Sequence, residues 1–215
     1  MNEPCRVFLL RHGQTDWNAE RRLQGHLDMP LNALGRWQAE QLGRALADEG
    51  MAAVFSSDLV RAQQTALPLA QRLGLPVLSD RALRERHFGH LEGLSYAEID
   101  ERFPDDARGW RQREPDFAPG GGETLAAFFN RAVAAVSRVA APNGGHAIAV
   151  FTHGGVLDCL HRAATGAALQ APRSWQLGNA SINRLLYNGV GFALVGWNDD
   201  AHLAPPCPPV AKPGT

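Results

Sequence analysis

The stretch Val7-Phe8-Leu9-Leu10-Arg11-His12-Gly13 decides the fold, because a continuous apolar run stops abruptly at a cation, an imidazole and a glycine. Apolar residues without alternation suit a central strand covered on both faces. In open α/β sheets ligands collect beyond the carboxyl ends of such strands, so Arg11, His12 and Gly13 are expected on the rim of a site. Arginine offers a planar fork of donors to phosphate or carboxylate oxygens, glycine lets a ligand approach the backbone, and histidine can attack or shuttle a proton. Taken alone, the tripeptide reads equally well as a strand ending in surface polar residues.

The pattern recurs. Ala147 to Phe151 is a second continuous apolar run, and it ends in Thr152-His153-Gly154-Gly155. Between the two, Asn32 is positioned to cap a helix to about Glu49, with Gly35, Ala39, Leu42, Ala45 and Leu46 on one face and Gly50 closing it. Ala52 to Phe55 reads as a strand. Ser56-Ser57-Asp58 follows as an N-cap cluster for a helix through Ala62, Ala66, Leu69 and Leu73, which Pro68 should kink. Pro76 to Leu78 suits a third strand, and Ser95-Tyr96-Ala97-Glu98 has capping-box spacing for a helix ending before Pro104. Glu123-Thr124 opens another helix, with Leu125, Phe129, Val133, Val136 and Ala140 inward.

Two long polar segments interrupt this order. Gln14 to Pro30 is too long for a tight turn, and loops of that length in compact domains are usually functional. Asp105 to Gly122, rich in Pro and Gly, reads as a lid or excursion. Ile182 to Tyr187 and Phe192 to Trp197 flank Asn188-Gly189-Val190-Gly191, a hairpin signal. These elements imply a three-layer α/β/α sandwich on a mostly parallel six-stranded sheet with one antiparallel strand. One domain over residues 1–203 is expected, followed by a disordered Pro-rich tail over 204–215.

Composition excludes several classes. The formal net charge of −1 gives no bulk attraction to nucleic acid or to an acidic membrane. Lys212 is the single lysine of the chain, so a P-loop, a Schiff-base enzyme and a kinase fall away together. Phosphate chemistry must run on arginine and histidine. Cys5, Cys159 and Cys207 are odd in number and in no ligand spacing, which argues against a disulfide framework or a zinc site. No signal-like leader and no apolar run of about 18 residues is present, so a cytoplasmic protein is expected. His87 with His90, and Asp158 with His161, have spacings open to a metal, with surface or packing roles as the default. Arg84, Arg86, Arg108, Arg111 and Arg113 read either as solvated surface or as readers of a substrate anion.

Arg11, His12, Arg61 in a helix's first turn, and His153 can converge on an anion. At this point the chain resembles the histidine phosphatase superfamily over nearly its whole length. Leu10-Arg11-His12-Gly13-Gln14-Thr15-Asp16-Trp17-Asn18 is similar to the family signature, continued by Leu23-Gln24-Gly25 and Pro30-Leu31-Asn32-Ala33-Leu34-Gly35. Ser56 to Ala66 resembles the second motif, Leu83-Arg84-Glu85 with Phe88-Gly89 and Glu92-Gly93 the acid motif, and Thr152-His153-Gly154-Gly155 the last.

The resemblance implies a phosphoglycerate mutase-like fold and His12 as a nucleophile that forms a phosphohistidine. It further implies Arg11, Arg61, His153 and Asn18 as a clamp on the phosphoryl oxygens and Glu85 as proton donor. Gln24, Gly25 and Gly154 are expected to contact substrate. Such a site needs no metal, because side chains supply the positive charge. The other nitrogen of His12 is expected to donate to a carbonyl near Gly13. Glu92-Gly93-Leu94-Ser95 carries no lysine and the excursion is short, which resembles the phosphatase branches. The expected function is hydrolysis of small phosphorylated metabolites without a cofactor. A phosphoglycerate mutase dependent on 2,3-bisphosphoglycerate is the alternative, and a non-catalytic interaction module is a third reading. The sequence leaves a homodimer open.

Overall fold

The computed structural model describes residues 3–204. Its six strands are β1 (Cys5–Arg11), β2 (Met51–Ser56), β3 (Val77–Ser79), β4 (Ala147–Thr152), β5 (Ile182–Tyr187) and β6 (Phe192–Asp199). They form one sheet in the order β3-β2-β4-β1-β5-β6. β1 runs parallel to β4, and β4 to β2, while β5 is antiparallel to both β1 and β6. The mostly parallel α/β sheet with one reversed strand is therefore observed.

The non-alternating apolar runs are buried on both sides. Val7 and Leu9 join Ile148, Val150 and residues of α6 (Leu125–Ala140) and α7 (Gly154–Thr165) in one core. Phe8 and Leu10 join Ala149, Phe151 and residues of α2 (Ala33–Ala45) and α3 (Val60–Leu73) in the other. Leu9 and Leu10 are fully buried on opposite faces, and truncating either to Ala is expected to destabilise by about 2–5 kcal/mol. Cys5 and Cys159 are buried free thiols, and Cys207 lies outside the described residues.

Several local expectations are corrected. The helix α3 starts after Leu59, which makes no side-chain cap, and the Val60 N–H donates instead to Asp28 Oδ1 at 2.7 Å from the loop before α2. Asp58 is taken by Arg84, with two contacts of 2.6 Å. α3 runs on continuously through Pro68. The proline forfeits only one helical hydrogen bond, and α2 packs against it so closely at Gly43 that an added Cβ would lie 3.1 Å from Pro68. On α2 Ala45 is exposed, and Gln38 and Gly43 are buried in its place.

The two polar segments contain helices. Thr15 and Asn18 form a capping box around the short α1 (Asp16–Ala19). The expected Ser95 box caps α4 (Tyr96–Arg102). Pro104 then opens α5 (Pro104–Arg111) rather than a loop, since proline suits the first helical position and Asp105 and Asp106 complement the dipole. In α6 the buried ring is Phe128, with Phe129 and Val133 only partly covered. A third cluster of Leu23, Phe88, Leu91, Ile99 and Ala107 packs α4 and α5 together, with Trp110 against it. Residues 205–215, most of the expected tail, lie outside the described residues. No described helix is long and apolar enough to cross a membrane.

Candidate active site

Sheet register brings the two histidine motifs together. Leu9 pairs with Val150 and Arg11 with Thr152, so the chains leave the sheet side by side. The His12 N–H donates to Thr152 O at 2.9 Å. The His12 and His153 ring centroids are 5.2 Å apart. Gly13 is not among the residues lining the pocket around His12; its missing side chain makes room for backbone instead. Its Cβ would lie 2.5 Å from Gly35 O, and it holds the strand end against the start of α2. The Gly13 N–H donates to Thr65 Oγ1 at 3.0 Å, and Thr65 Oγ1 donates in turn to Arg61 O at 2.7 Å. One threonine thus ties the His12 loop to the helix that carries Arg61.

His12 is 3 % exposed, and its Nδ1 lies 2.7 Å from Gly13 O. A carbonyl only accepts, so the proton sits on Nδ1 and Nε2 keeps a free lone pair. Burial first, then the Arg61 and Arg11 charges, hold the ring well below the usual imidazole range, against the opposing Gly13 bond. His12 is therefore neutral at pH 7.

Around it stand donors without acceptors. Arg61 is 1 % exposed and donates Nη1 to Leu27 O at 2.8 Å and Nη2 to Gly25 O at 2.7 Å. Arg11 is anchored on Leu177 O. The Nε atoms of both arginines are buried and unpartnered. Burial lowers both, Arg61 to about 10, which leaves Arg61 cationic at neutral pH. Asn18 Oδ1 receives Thr15 N at 3.1 Å and Asn179 Nδ2 at 3.2 Å. These donors fix the amide orientation and leave Nδ2 as a further donor on the pocket wall.

Arg11, His12, Asn18, Arg61, Glu85 and Gly154 line one pocket of about 610 Å³. Gln24 and Gly25 also line it, Gly25 through the backbone that holds Arg61. Glu85 accepts the N–H groups of Arg86 at 2.8 Å and Gly155 at 2.9 Å, one on each carboxylate oxygen. His153 is brought to the site but not onto its wall. It is fully buried beside His12, with Nε2 2.9 Å from Ser57 Oγ and Nδ1 unpartnered. Burial, then Arg61, holds its ring well below the usual range.

Among the metal spacings, His87 lies 3.7 Å from Glu92, His90 2.7 Å from Asp106, and Asp158 binds Arg113 and Arg162. Of the uncertain arginines, Arg108 and Arg111 form exposed surface pairs, Arg84 holds Asp58, and Arg86 and Arg113 reach the pocket. Trp110 lines the pocket as well. Sequence reasoning missed Ser57 as the partner of His153. It also missed Arg22, Tyr96, Arg173 and Trp175 on the pocket wall. Arg22 and Tyr96 flank motifs already singled out, but no motif marks Arg173 or Trp175.

The family model for the histidine phosphatase superfamily (branch 1) matches residues 7–200. The chain belongs to this superfamily. Among histidine phosphatase relatives, it is 39 % identical over 201 residues to phosphoglycerate mutase-like protein 4 of Arabidopsis thaliana, covering 92 % of this chain and 86 % of that protein. It is 35 % identical to a metal-independent phosphoserine phosphatase of the same plant, covering 94 % and 85 %. A solved mycobacterial glucosyl-3-phosphoglycerate phosphatase superposes with a TM-score of 0.80 at 36 % identity, covering 90 % of this chain and 98 % of that one.

Proposed function

We propose that this protein is a phosphomonoester hydrolase acting on small phosphorylated metabolites through a phosphohistidine at His12. The observation that carries the reading is a neutral His12 with a free Nε2, set among the unpartnered guanidinium donors of Arg11 and Arg61. Those donors lack an acceptor that a phosphoryl group would supply.

In the first step the Nε2 lone pair attacks phosphorus and the bond to the ester oxygen breaks. Glu85 gives that oxygen its proton, so an alcohol leaves and Glu85 becomes a carboxylate. In the second step Glu85 takes a proton from water as its oxygen attacks phosphorus, the P–N bond breaks, and phosphate departs with His12 neutral again. Arg11, Arg61 and the Asn18 amide hold the equatorial oxygens, where a loose transition state spreads its charge. Neutral His153, with Ser57 Oγ at its Nε2, leaves its unpartnered Nδ1 beside the phosphoryl site. The cationic groups belong to the chain itself, and no metal or organic cofactor is assigned to the reaction. A cytoplasmic site of action fits substrates of this kind.

The phosphatase reading draws support from the two phosphatase relatives. The mutase reading draws on the plant relative with a mutase-like name. A screen of phosphate esters with and without 2,3-bisphosphoglycerate separates them. Release of inorganic phosphate without the bisphosphate is expected, and turnover only after priming would reverse the assignment.

A further inference from the structure

The part of the pocket beyond the phosphoryl site contains a feature the reaction does not use. Asp158 lies on α7, one helical turn past Gly154 and on the same face, so its Cα is about 6 Å further along the helix. Gly154 marks the phosphoryl end, since a Cβ there would lie 3.5 Å from Arg11 Nε. Asp158 is 4 % exposed and lines the pocket. Its Oδ2 receives both Arg113 Nη2 at 2.6 Å and Arg162 Nε at 3.0 Å, while its Oδ1 is buried with no partner.

The carboxylate is rigidly held. Arg162 is 1 % exposed and also donates Nη2 to Ala171 O at 2.9 Å. Arg113 donates Nε to Leu169 O at 2.7 Å and sits in the left-handed backbone region at φ 54°, which disfavours any L side chain. A second buried acceptor without a partner, Gln24 Oε1, lines the same pocket. Buried acceptors cost free energy unless a donor reaches them. No described residue donates to either atom, so a donor from outside the chain, water in the free protein or a hydroxyl of the bound substrate, would meet them.

We propose that Asp158 is a specificity-determining residue that accepts a hydrogen bond through Oδ1 from a hydroxyl of the leaving alcohol, selecting polyhydroxylated phosphate esters. This rests on the phosphatase reading above. A hydroxyl rather than an ammonium is favoured because two guanidinium groups already share this one carboxylate, and the pocket adds Arg173. An added cation would meet net positive charge. The pocket's volume of about 610 Å³ leaves room for such a group beyond the phosphoryl site.

The test compares kcat/KM for sn-glycerol 3-phosphate, n-propyl phosphate and phosphoethanolamine in the wild type and in Asp158→Asn, with p-nitrophenyl phosphate as a reference. The asparagine keeps an oxygen for Arg113 and Arg162 and puts an NH2 where Oδ1 stood, so an acceptor becomes a donor. The wild type is expected to favour glycerol phosphate over propyl phosphate by roughly 10- to 100-fold, and Asp158→Asn to bring that ratio toward one. A purely structural role would lower all substrates together and leave the ratio unchanged, which overturns the proposal. A wild-type ratio near one, or a preference for phosphoethanolamine, overturns it without any variant. Absence of turnover on every ester, p-nitrophenyl phosphate included, would instead remove the phosphatase reading, and this proposal with it.

Discussion

Gly155→Ala tests the acid role of Glu85 without altering Glu85 itself. The Gly155 N–H donates to Glu85 Oε2 at 2.9 Å. An added Cβ would lie only 2.0 Å from Glu85 Oε1 and 3.0 Å from Phe128 Cε1. Ordinary contact begins at 3.4 Å, so the carboxylate oxygen must retreat by about 1.4 Å. Misplacement by about 1 Å can cost 10²-fold in rate, and a positioned acid supplies roughly 10²–10⁴-fold. Phosphoenzyme formation from an alkyl phosphate should therefore slow by about 10²-fold. From p-nitrophenyl phosphate it should slow far less, because nitrophenolate leaves without a proton. The fold should survive, since residue 155 has ordinary helical backbone in α7 and alanine is favoured there over glycine by about 1 kcal/mol. Rapid quench isolates the first step, and thermal unfolding checks integrity. Equal losses for both substrates, or none for either, would refute the assignment of Glu85 as the acid.

Two further outcomes follow from the same geometry. His12 and His153 are held neutral in the fold but titrate near 6.5 when unfolded, so below pH 6.5 the unfolded chain binds the extra protons. Stability should then fall with falling pH, by up to about 1.4 kcal/mol per pH unit for each histidine. Urea titrations in phosphate-free buffer should show a shallower slope below pH 6.5 in His12→Ala, and identical slopes would mean that His12 is charged in the fold. Activity should also survive EDTA, because Arg11 and Arg61 are the cations assigned to the phosphoryl oxygens. Loss in EDTA restored by one divalent metal would contradict that.

The central architecture was legible because two apolar runs without alternation, Val7–Leu10 and Ala147–Phe151, admit little but buried parallel strands. Each ends at a histidine, and the Arg11–Thr152 register makes the two adjacent. What the sequence hid was set by distant contacts. Ser56-Ser57-Asp58 looks like a cap, but Asp28 caps the helix, Arg84 takes Asp58 and Ser57 takes His153. Pro104 looks like a terminator but opens α5. His153 was expected beside His12, and the two ring centroids do lie 5.2 Å apart, but that its Nε2 meets Ser57 was not legible. Asp158 read as half of a metal spacing, since no local pattern reveals that Arg113, 45 residues earlier in the chain, returns to meet it.

The central claim is that the phosphoryl group passes through His12. The direct measurement is to quench the protein in alkali within milliseconds of mixing with an excess of phosphate ester, then locate the phosphate by peptide mass spectrometry. Acid-labile, alkali-stable phosphate on the peptide containing His12, absent from a folded His12→Ala protein that no longer turns over, is the expected result. Acid-labile phosphate trapped at the same level on His12→Ala, or turnover retained by that variant, would contradict the account.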